Sequence, residues 1–177
     1  MSVRRTNWYV ITGAPCSGKT SVINALEQRG FRVVHEVARA YIDEEMQKGK
    51  RLEHIKADPY RFENHIFLTK LKIEESLPQK EIIFLDRAVP DSIAYFELEG
   101  LDPGQPVEKS KLVQYKKIFL FERLAFLEDG VRSEDDLLAE RLDNLLEAAY
   151  RKLNYKIVRV PPISVEGRTA FILERLE

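Results

Sequence analysis

The stretch Gly13-Ala14-Pro15-Cys16-Ser17-Gly18-Lys19-Thr20 decides how this sequence of 177 residues is interpreted. It follows the apolar run WYVIT at 8–12 and precedes an amphipathic segment at 21–29. A glycine-rich turn between a buried strand and a helix points successive backbone N–H groups at phosphate oxygens, and the positive end of the helix adds to that field. Because chance rarely supplies the flanking strand and helix as well as the motif, the sequence predicts a phosphate-binding loop rather than an ordinary glycine-rich turn.

Each part of this loop has a predicted task in binding a nucleoside triphosphate. Backbone N–H groups hold the phosphates, the Lys19 ammonium reaches the β- and γ-phosphates, and the Thr20 hydroxyl ligates Mg²⁺. We therefore expect ATP and Mg²⁺ as cofactors, and the absence of a guanine-reading Asn-Lys-x-Asp run favours ATP over GTP without deciding between them. The predicted nucleotide-binding residues are Gly13, Ala14, Pro15, Cys16, Ser17, Gly18, Lys19, Thr20 and Ser21.

Composition and charge exclude several other classes of protein. The hydrophobic fraction of 44% and the charged fraction of 32% are typical of a globular domain and not of a disordered chain. A net charge of −1 gives no overall positive field, which makes nucleic acid an unfavoured partner. No apolar run approaches the roughly 18 residues that a membrane span needs, and the N-terminus lacks the apolar core of a signal peptide. The single cysteine fits a reducing compartment, so we expect a cytoplasmic protein with no membrane partner.

Apolar runs of strand length alternate along the chain with longer segments of helical period, the pattern of a parallel sheet covered by helices. The length fits one α/β domain, 1–177, and the stretch at 100–105 is predicted to be an irregular connection. Ligands of such a doubly wound sheet gather at the carboxyl ends of the strands. The five predicted strands cover about 8–12, 31–35, 81–86, 116–121 and 155–160. The predicted helices cover about 19–29, 36–48, 59–77, 90–99, 133–153 and 164–176.

The third predicted strand ends in a charged pair. Four apolar residues precede Asp86 and Arg87, an arrangement in which a buried strand of a phosphate-loop protein places an aspartate beside Mg²⁺. The alternative is a salt bridge between Asp86 and Arg87 at the end of the strand. Arg87 either contacts a phosphate or neutralises a neighbouring carboxylate. In the helix that follows, Asp91 and Tyr95 either contact an acceptor molecule or only pack the helix.

The second predicted strand gives way to a helix at Glu36, and Arg39 follows three residues later. Side chains at i and i+3 lie on one face of a helix, so both are expected to point into the cleft. A carboxylate facing the γ-phosphate is where a kinase places a base or a hydroxyl-orienting group, and Asp86 is the alternative for that role. The competing interpretation is a helix-capping carboxylate and a surface ion pair.

The segment at about 122–141 has the features of a lid. Arg132 lies on the glycine-containing loop DGVR at 129–132, and a closing lid of this kind brings an arginine to the transferring charge. Arg123 and Arg141 are further candidates, and Asp129 either acts in the site or holds Arg132 in place. The alternative is a solvated, charged helix face.

With these motifs the chain resembles the kinase-like phosphate-loop ATPases. It is most similar to the small AAA-type predicted ATPases, which are related to the ribosylnicotinamide kinase domain of the bacterial NAD-biosynthesis regulator. Asp86-Arg87 also resembles the Asp-Arg pair of thymidylate-type kinases. The resemblance rests on ITGAPCSGKT at 11–20, EVARAYI at 36–42, IIFLDRAVPDSIAY at 82–95, DGVRS at 129–133 and RKLNYKIVRVPP at 151–162.

The resemblance implies a kinase-like strand order, 2-3-1-4-5. It also implies that Lys19 and Thr20 hold ATP and Mg²⁺, that Asp86 acts at the metal or the acceptor, and that Arg132 binds phosphates. Cys16 departs from these loops, which often have glycine or serine at its position. We expect it to be tolerated because residues there commonly avoid a strained φ, although its thiol is oxidisable beside the nucleotide.

Residues and resemblance together predict an Mg-ATP-dependent kinase acting on a small, nucleoside-like acceptor whose identity stays open, as does the oligomeric state. One alternative is a nucleotide-dependent ATPase or switch acting on a protein partner, and a less favoured one is a nucleic-acid kinase. The catalytic candidates are Lys19, Glu36, Asp86 and Arg132. The acceptor-binding candidates are Glu36, Arg39, Arg87 and Asp91, and the metal-binding candidates are Thr20 and Asp86.

Overall fold

A computed structural model describes residues 3–123 and 134–177 of the chain. In chain order the elements are β1 (Arg4–Arg5), β2 (Trp8–Thr12), α1 (Lys19–Gln28), β3 (Arg32–Val34), α2 (Val37–Gln47), α3 (Leu52–Ile55), α4 (Pro59–Ser76), β4 (Ile83–Asp86), α5 (Asp91–Leu98), α6 (Gly104–Ser110), β5 (Val113–Gln114), β6 (Lys117–Phe121), α7 (Glu134–Lys152), β7 (Ile157–Val160) and α8 (Val165–Leu173).

Five parallel strands form the main sheet in the order β3-β4-β2-β6-β7. The central strand β2 pairs Trp8 with Ile83 of β4 and Tyr9 with Lys117 of β6. Every residue of β2 and β4 is buried, because helices cover both faces of a parallel sheet, and both strands therefore appear in the sequence as continuous apolar runs. The structure confirms the α/β class, the five-stranded parallel sheet and the strand order 2-3-1-4-5.

Two pairs of helices cover the faces of this sheet. On one face, Ile23 of α1 and Ile172 of α8 pack with Ile11 of β2 in an apolar cluster. On the other face, α5 and α7 pack on Leu120 of β6, and Leu146 of α7 is fully buried in that cluster. Because successive side chains of a strand point to opposite faces, the two layers together bury both faces of the central strands β2 and β4, whereas the edge strands β3 and β7 stay partly exposed.

Three features of the chain differ from the sequence prediction. β1 and β5 form a two-stranded parallel sheet, in which Arg4 pairs with Val113, and two-residue strands are too short to leave an alternating apolar pattern. The helix α3 has four residues and is also too short to show a helical period in the sequence. The region predicted to be an irregular connection leads into α6, whose glycine and proline are weak helix formers.

Only part of the predicted lid lies in the described residues. Residues 134–141 form the start of α7, whereas 124–133 lie outside the described residues, and Asp129 and Arg132 with them. Within 3–123 and 134–177, no helix has both the length and the apolar character needed to cross a membrane.

Candidate functional site

The phosphate loop connects the carboxyl end of β2 to the first turn of α1. Gly13 and Gly18 have φ of 138° and 80°, a region that glycine adopts without a steric penalty. A Cβ atom on Gly13 would lie 2.8 Å from the carbonyl oxygen of Phe121, so the loop packs directly against the end of β6. Both the backbone angles and this close approach require glycine at the start of the loop.

Cys16 lies in the same loop with a φ of 60° and an exposed side chain. The expectation that this position avoids a strained φ is therefore wrong. A non-glycine residue in the left-handed region is uncommon because its Cβ crowds the backbone, at a cost of about 1–2 kcal/mol. The glycine found at this position in many related loops has a physical reason that the sequence of this chain alone did not reveal.

The Lys19 side chain folds back over the loop. Its Nζ donates hydrogen bonds to the carbonyl oxygens of Gly13 (2.9 Å) and Ala14 (2.7 Å) and to Ser17 Oγ (3.1 Å). Burial, together with the positive charge of Arg87, lowers the pKa of Lys19 to about 8. The next residue, Thr20, is exposed in the first turn of α1. The ammonium and the hydroxyl thus lie within two successive residues at the N-terminal end of a helix, as the motif predicts.

Two side chains distant in sequence support the loop. Asp143 of α7 accepts a hydrogen bond from the Ala14 N–H at 2.6 Å, and Arg168 of α8 donates one to the Ser17 carbonyl at 2.7 Å. Sequence analysis missed both. Asp143 is one of many charged residues on α7, and Arg168 is a single basic residue with no motif around it. The loop is therefore fixed from both helical layers of the fold.

Asp86 ends β4, next to the loop, where it pairs in register with Ile11 of β2. Its side chain is only 3% exposed, and its Oδ1 has no hydrogen-bond partner among the described residues. Burial raises the pKa of Asp86 to about 6. A buried carboxylate oxygen without a partner suits a bound cation or its water ligands, and carboxylate and hydroxyl oxygens, as on Asp86 and Thr20, are the kind of ligand that Mg²⁺ prefers. The residues present therefore fit the metal that the motif implies.

Arg87 follows with a φ of 67°, again in the left-handed region. Its backbone N–H donates to the Ile11 carbonyl at 2.9 Å, while its Nε donates to Glu36 Oε1 at 3.1 Å. Its NH1 lies 3.5 Å from Asp91 Oδ1, and its guanidinium lies 5.3 Å from the centre of the Tyr95 ring. Arg87 thus neutralises two carboxylates from different elements, which agrees with one of its two predicted roles. Among the described residues, Arg87 forms salt bridges with Glu36 and Asp91 and none with Asp86.

Asp91, at the start of α5, is completely buried, and both of its carboxylate oxygens are engaged. Oδ1 accepts a hydrogen bond from Thr12 Oγ1 at 2.5 Å. Oδ2 accepts bonds from the Ala88 N–H at 2.9 Å and from the Tyr150 hydroxyl. Asp91 is therefore placed to hold Arg87 and to join β2, α5 and α7, in contrast to the direct acceptor contact expected from the sequence.

Glu36 lies immediately before α2, and its side chain is 30% exposed beside Arg87. Burial alone would raise its pKa, but the charges of Arg87 and Lys19 outweigh that effect and lower it. The carboxylate is therefore ionised and partly accessible, and it is stabilised by the charges of Lys19 in the loop and Arg87 after β4. These are the properties required of a group that orients or deprotonates a hydroxyl.

Arg39 does not join this cluster. Its side chain is 75% exposed, and its Nε lies 3.1 Å from Asp43 Oδ2. Glu36 precedes the helix, with a φ of −58° and a ψ of 114°, so the i, i+3 relation that predicted a shared face does not apply to it. For Arg39 the alternative interpretation, a surface ion pair, describes the structure.

Two buried polar residues on α4 were missed by sequence analysis. Glu63 and Lys70 belong to the buried residues of that helix and lie close enough to Arg87 for its charge to affect their pKa values. A charged residue at helical spacing on an otherwise apolar face was the available signal, and it only emerges once the apolar face is identified. On the lid side, Arg123 forms an ion pair with Asp136.

Comparison with solved structures shows the same fold in nucleotide-handling enzymes. Thymidylate kinase from Ehrlichia chaffeensis matches with a TM-score of 0.67 and 13% identity over 97% of each chain. Deoxyadenosine kinase from M. mycoides, solved with dCMP and dCDP, matches with a TM-score of 0.66 and 12% identity over 96% of this chain and 98% of that one. NadR, solved in complex with NR, matches with a TM-score of 0.64 and 15% identity over 88% of this chain and 43% of that one. At these identities the likeness shows a shared fold.

No curated protein matches this sequence. A family described as AAA domain, however, matches residues 8–168, which include the phosphate loop, Glu36, Asp86 and the two residues that support the loop, Asp143 and Arg168. This confirms the resemblance to small AAA-type, kinase-like phosphate-loop proteins, and the chain belongs to this AAA domain family.

Proposed function

We propose that this protein is an Mg-ATP-dependent phosphotransferase that acts on a small, nucleoside-like acceptor. The observation that carries the proposal is the meeting of a phosphate loop with Asp86 and the Arg87–Glu36 ion pair at the carboxyl ends of β2 and β4. A loop that only bound nucleotide would not need an ionised, accessible carboxylate held by a buried arginine. The likeness in fold to deoxyadenosine kinase and thymidylate kinase supports the same class of reaction.

The donor half of the site consists of the loop and its two neighbouring oxygens. Lys19 and the backbone N–H groups of the loop, to which Pro15 contributes none, hold the phosphates of ATP, while Thr20 and Asp86 would hold Mg²⁺. The metal supplies neutralisation of charge on the phosphate oxygens when it is bound. Lys19 now bonds to loop carbonyls and Ser17, and its three hydrogen bonds are available for exchange with phosphate oxygens.

The acceptor half consists of Glu36 and the residues that position it. In the proposed reaction the acceptor hydroxyl oxygen forms a bond to the γ-phosphorus as the bond to the ADP oxygen breaks, and the hydroxyl proton passes to Glu36. Glu36 suits this role better than Asp86 because it is ionised and partly exposed, whereas burial favours the protonated form of Asp86. Arg132 belongs to the proposal as a lid arginine, and it lies outside the described residues.

The experiment is phosphoryl transfer from labelled ATP to a panel of nucleosides, nucleotides and ribosides by the wild-type protein and Lys19→Ala. We expect transfer to at least one acceptor and a loss of at least about 10²-fold in Lys19→Ala, because a preorganised positive charge on the phosphates is removed. Lys72→Ala, an exposed lysine of α4, is the matched control and should retain wild-type turnover. Circular dichroism shows whether each variant is folded.

Turnover near wild type in folded Lys19→Ala contradicts the proposal. Conversion of ATP to ADP that no acceptor accelerates, and that a protein partner alters, would instead identify a nucleotide-dependent switch. A labelled 5′ end on an oligonucleotide would identify a nucleic-acid kinase.

A further inference from the structure

The interior between α4 and α5 contains charged groups with unused hydrogen-bonding capacity. Lys70 is only 4% exposed, and its ammonium makes one hydrogen bond, 3.4 Å long, to Ser92 Oγ. Glu63, two helical turns away on the same buried face, has no hydrogen bond or ion pair to any described residue. A lysine ammonium has three N–H donors and a carboxylate has about four acceptor positions, so most of this capacity is free.

Glu74, another buried carboxylate on α4, shows how hydrogen bonds satisfy a charge that has a structural role. Glu74 accepts a hydrogen bond at Oε1 from the Val89 N–H (2.9 Å) and at Oε2 from the Tyr115 hydroxyl (2.7 Å). Burying a polar group without partners costs free energy, and native interiors therefore satisfy nearly all of them. Glu74 follows this rule. Lys70 has one long hydrogen bond for three N–H donors, and the Glu63 oxygens have no partner among the described residues although they are not fully enclosed, which leaves both groups available to a bound molecule.

Both groups face the acceptor half of the proposed site. Lys70 bonds to the residue that follows Asp91, and the charges of Asp91, Arg87 and Glu36 all act on it. The charges of Lys70 and Arg87 likewise act on Glu63. Lys70 and Glu63 therefore lie on the buried face of α4, and Lys70 bonds to the residue next to Asp91.

We propose that Glu63 and Lys70 bind an amide-type edge of the acceptor, as found on a nucleobase or a carboxamide. This inference rests on the proposed function, since it places the acceptor hydroxyl at Glu36. The Lys70 ammonium donates to the carbonyl oxygen of the edge, and the adjacent N–H of the edge donates to the Glu63 carboxyl group. The pair thereby selects a neutral group that both accepts and donates.

The two residues together disfavour a simple anion at this end of the acceptor. A carboxylate or phosphate would suit Lys70 but would lie near Glu63, about half of which is ionised at neutral pH because burial raises its pKa to about 7. A hydrocarbon edge would leave both groups buried without partners. Sites built around such polar groups reject analogues that lack the matching polar edge, often by large factors.

The test measures acceptor binding by calorimetry, with and without a non-hydrolysable ATP analogue, so that it does not depend on turnover. The probes are two matched pairs: inosine with purine riboside, which lacks the oxo and N–H groups, and nicotinamide riboside with pyridine riboside, which lacks the carboxamide. We expect the wild type to bind the amide-bearing member of one pair at least about tenfold more tightly than its partner. Which pair shows the difference distinguishes a nucleobase from a carboxamide.

The variants Lys70→Met and Glu63→Met should each reduce that preference to below about threefold. Lys72→Met and Glu75→Met change exposed residues of the same helix in the same way and should keep it. Met replaces a buried charge that has at most one long hydrogen bond with an apolar side chain of similar length, so the unfolding midpoints of the two buried variants should not fall. If the residue has a structural role, replacing it should lower the unfolding midpoint. The midpoint therefore distinguishes a structural role from a role in acceptor binding.

The inference is overturned if the wild type binds none of the four ribosides or shows no preference within either pair. It is also overturned if the buried Met variants keep the preference, or if they lose it together with a lowered midpoint. Phosphoryl transfer with unaltered preference in these variants would contradict this inference alone. A preference that depends on Glu63 and Lys70 in a protein that transfers no phosphate would contradict the proposed function alone.

Discussion

The two halves of the candidate site are built in opposite ways. Apart from Asp86, the donor half is a continuous segment, 13–20, whose functional groups are mainly backbone N–H groups, one lysine and one hydroxyl. The acceptor half is assembled from side chains that precede α2, lie on α4 and follow β4, joined through Arg87. Glycines and a fixed spacing encode a backbone site, so it is visible in the sequence, whereas a side-chain site exists only once the helices have packed. Substitutions in the acceptor half should therefore leave ATP binding by the donor half intact, and substitutions in the donor half should leave the acceptor half folded.

Arg87→Met should give the largest loss of stability. It leaves the buried Asp91 without one of its partners and Glu36 without its ion pair, and breaking a buried pair in this way typically costs about 3–5 kcal/mol. Urea unfolding measures the loss in free energy. ATP affinity, measured by fluorescence titration of a nucleotide analogue, should change less than about threefold in the folded fraction, since no contact joins Arg87 to the loop side chains.

Arg39→Met is the matched control, since it removes an arginine whose ion pair is exposed and is expected to cost less than about 1 kcal/mol. If the two variants lose similar stability, Arg87 is not the centre of a buried network. If Arg87→Met abolishes ATP binding in folded protein, the two halves are not separable.

Asp86 gives a prediction for pH. Its pKa is about 6 in the folded protein, where burial raises it, against about 3.9 in an unfolded chain. A raised acid pKa contributes stability that is fully present below about pH 4 and is lost as the pH rises through about 6. Asp86→Asn stays neutral, so its unfolding free energy relative to wild type should rise by on the order of 3 kcal/mol between pH 4 and pH 7.

The metal provides the control for this experiment. With EDTA present the difference between wild type and Asp86→Asn should follow pH as described, and Mg²⁺ with ATP should reduce it, because a bound cation favours the ionised carboxylate. If the difference in unfolding free energy between the two proteins stays constant with pH, Asp86 titrates normally. If that difference is unchanged by Mg²⁺ with ATP, Asp86 is not a metal ligand.

The sequence predicted what depends on local pattern. Strands such as 8–12 and 83–86 are fully buried and so appear as apolar runs, and the strand order followed from the resemblance. The loop residues were visible for the same local reason. Asp143 and Arg168 were not, because a support that acts across more than a hundred residues leaves no spacing to detect. Arg39 was misplaced because an i, i+3 rule was applied across a helix boundary.

Glu74→Met and Glu63→Met compare two buried carboxylates within one helix. Removing Glu74 leaves the Val89 N–H and the Tyr115 hydroxyl buried without partners, so we expect a loss of about 2–3 kcal/mol in unfolding free energy. Removing Glu63 should cost nothing, since no described residue bonds to it. Chemical denaturation of both variants at pH 7 measures the contrast. Equal losses would show that Glu63 has a structural partner, and would weaken the assignment of α4 to the acceptor half.

Cys16→Gly gives the smallest expected effect and concerns the donor half alone. The φ of 60° strains any side chain at this position, so glycine relieves that strain in the folded state, while its greater freedom in the unfolded chain opposes the gain. The net result should be a stabilisation of less than about 1 kcal/mol. Cys16→Ser is the matched control, because it removes the thiol and keeps the Cβ, and it should be no more stable than wild type. If serine and glycine stabilise equally, the thiol and not the backbone angle is the source of the cost. If glycine alone stabilises, the backbone conformation of the donor loop reduces the stability of the protein, whereas the stability of the acceptor half depends on its side-chain contacts.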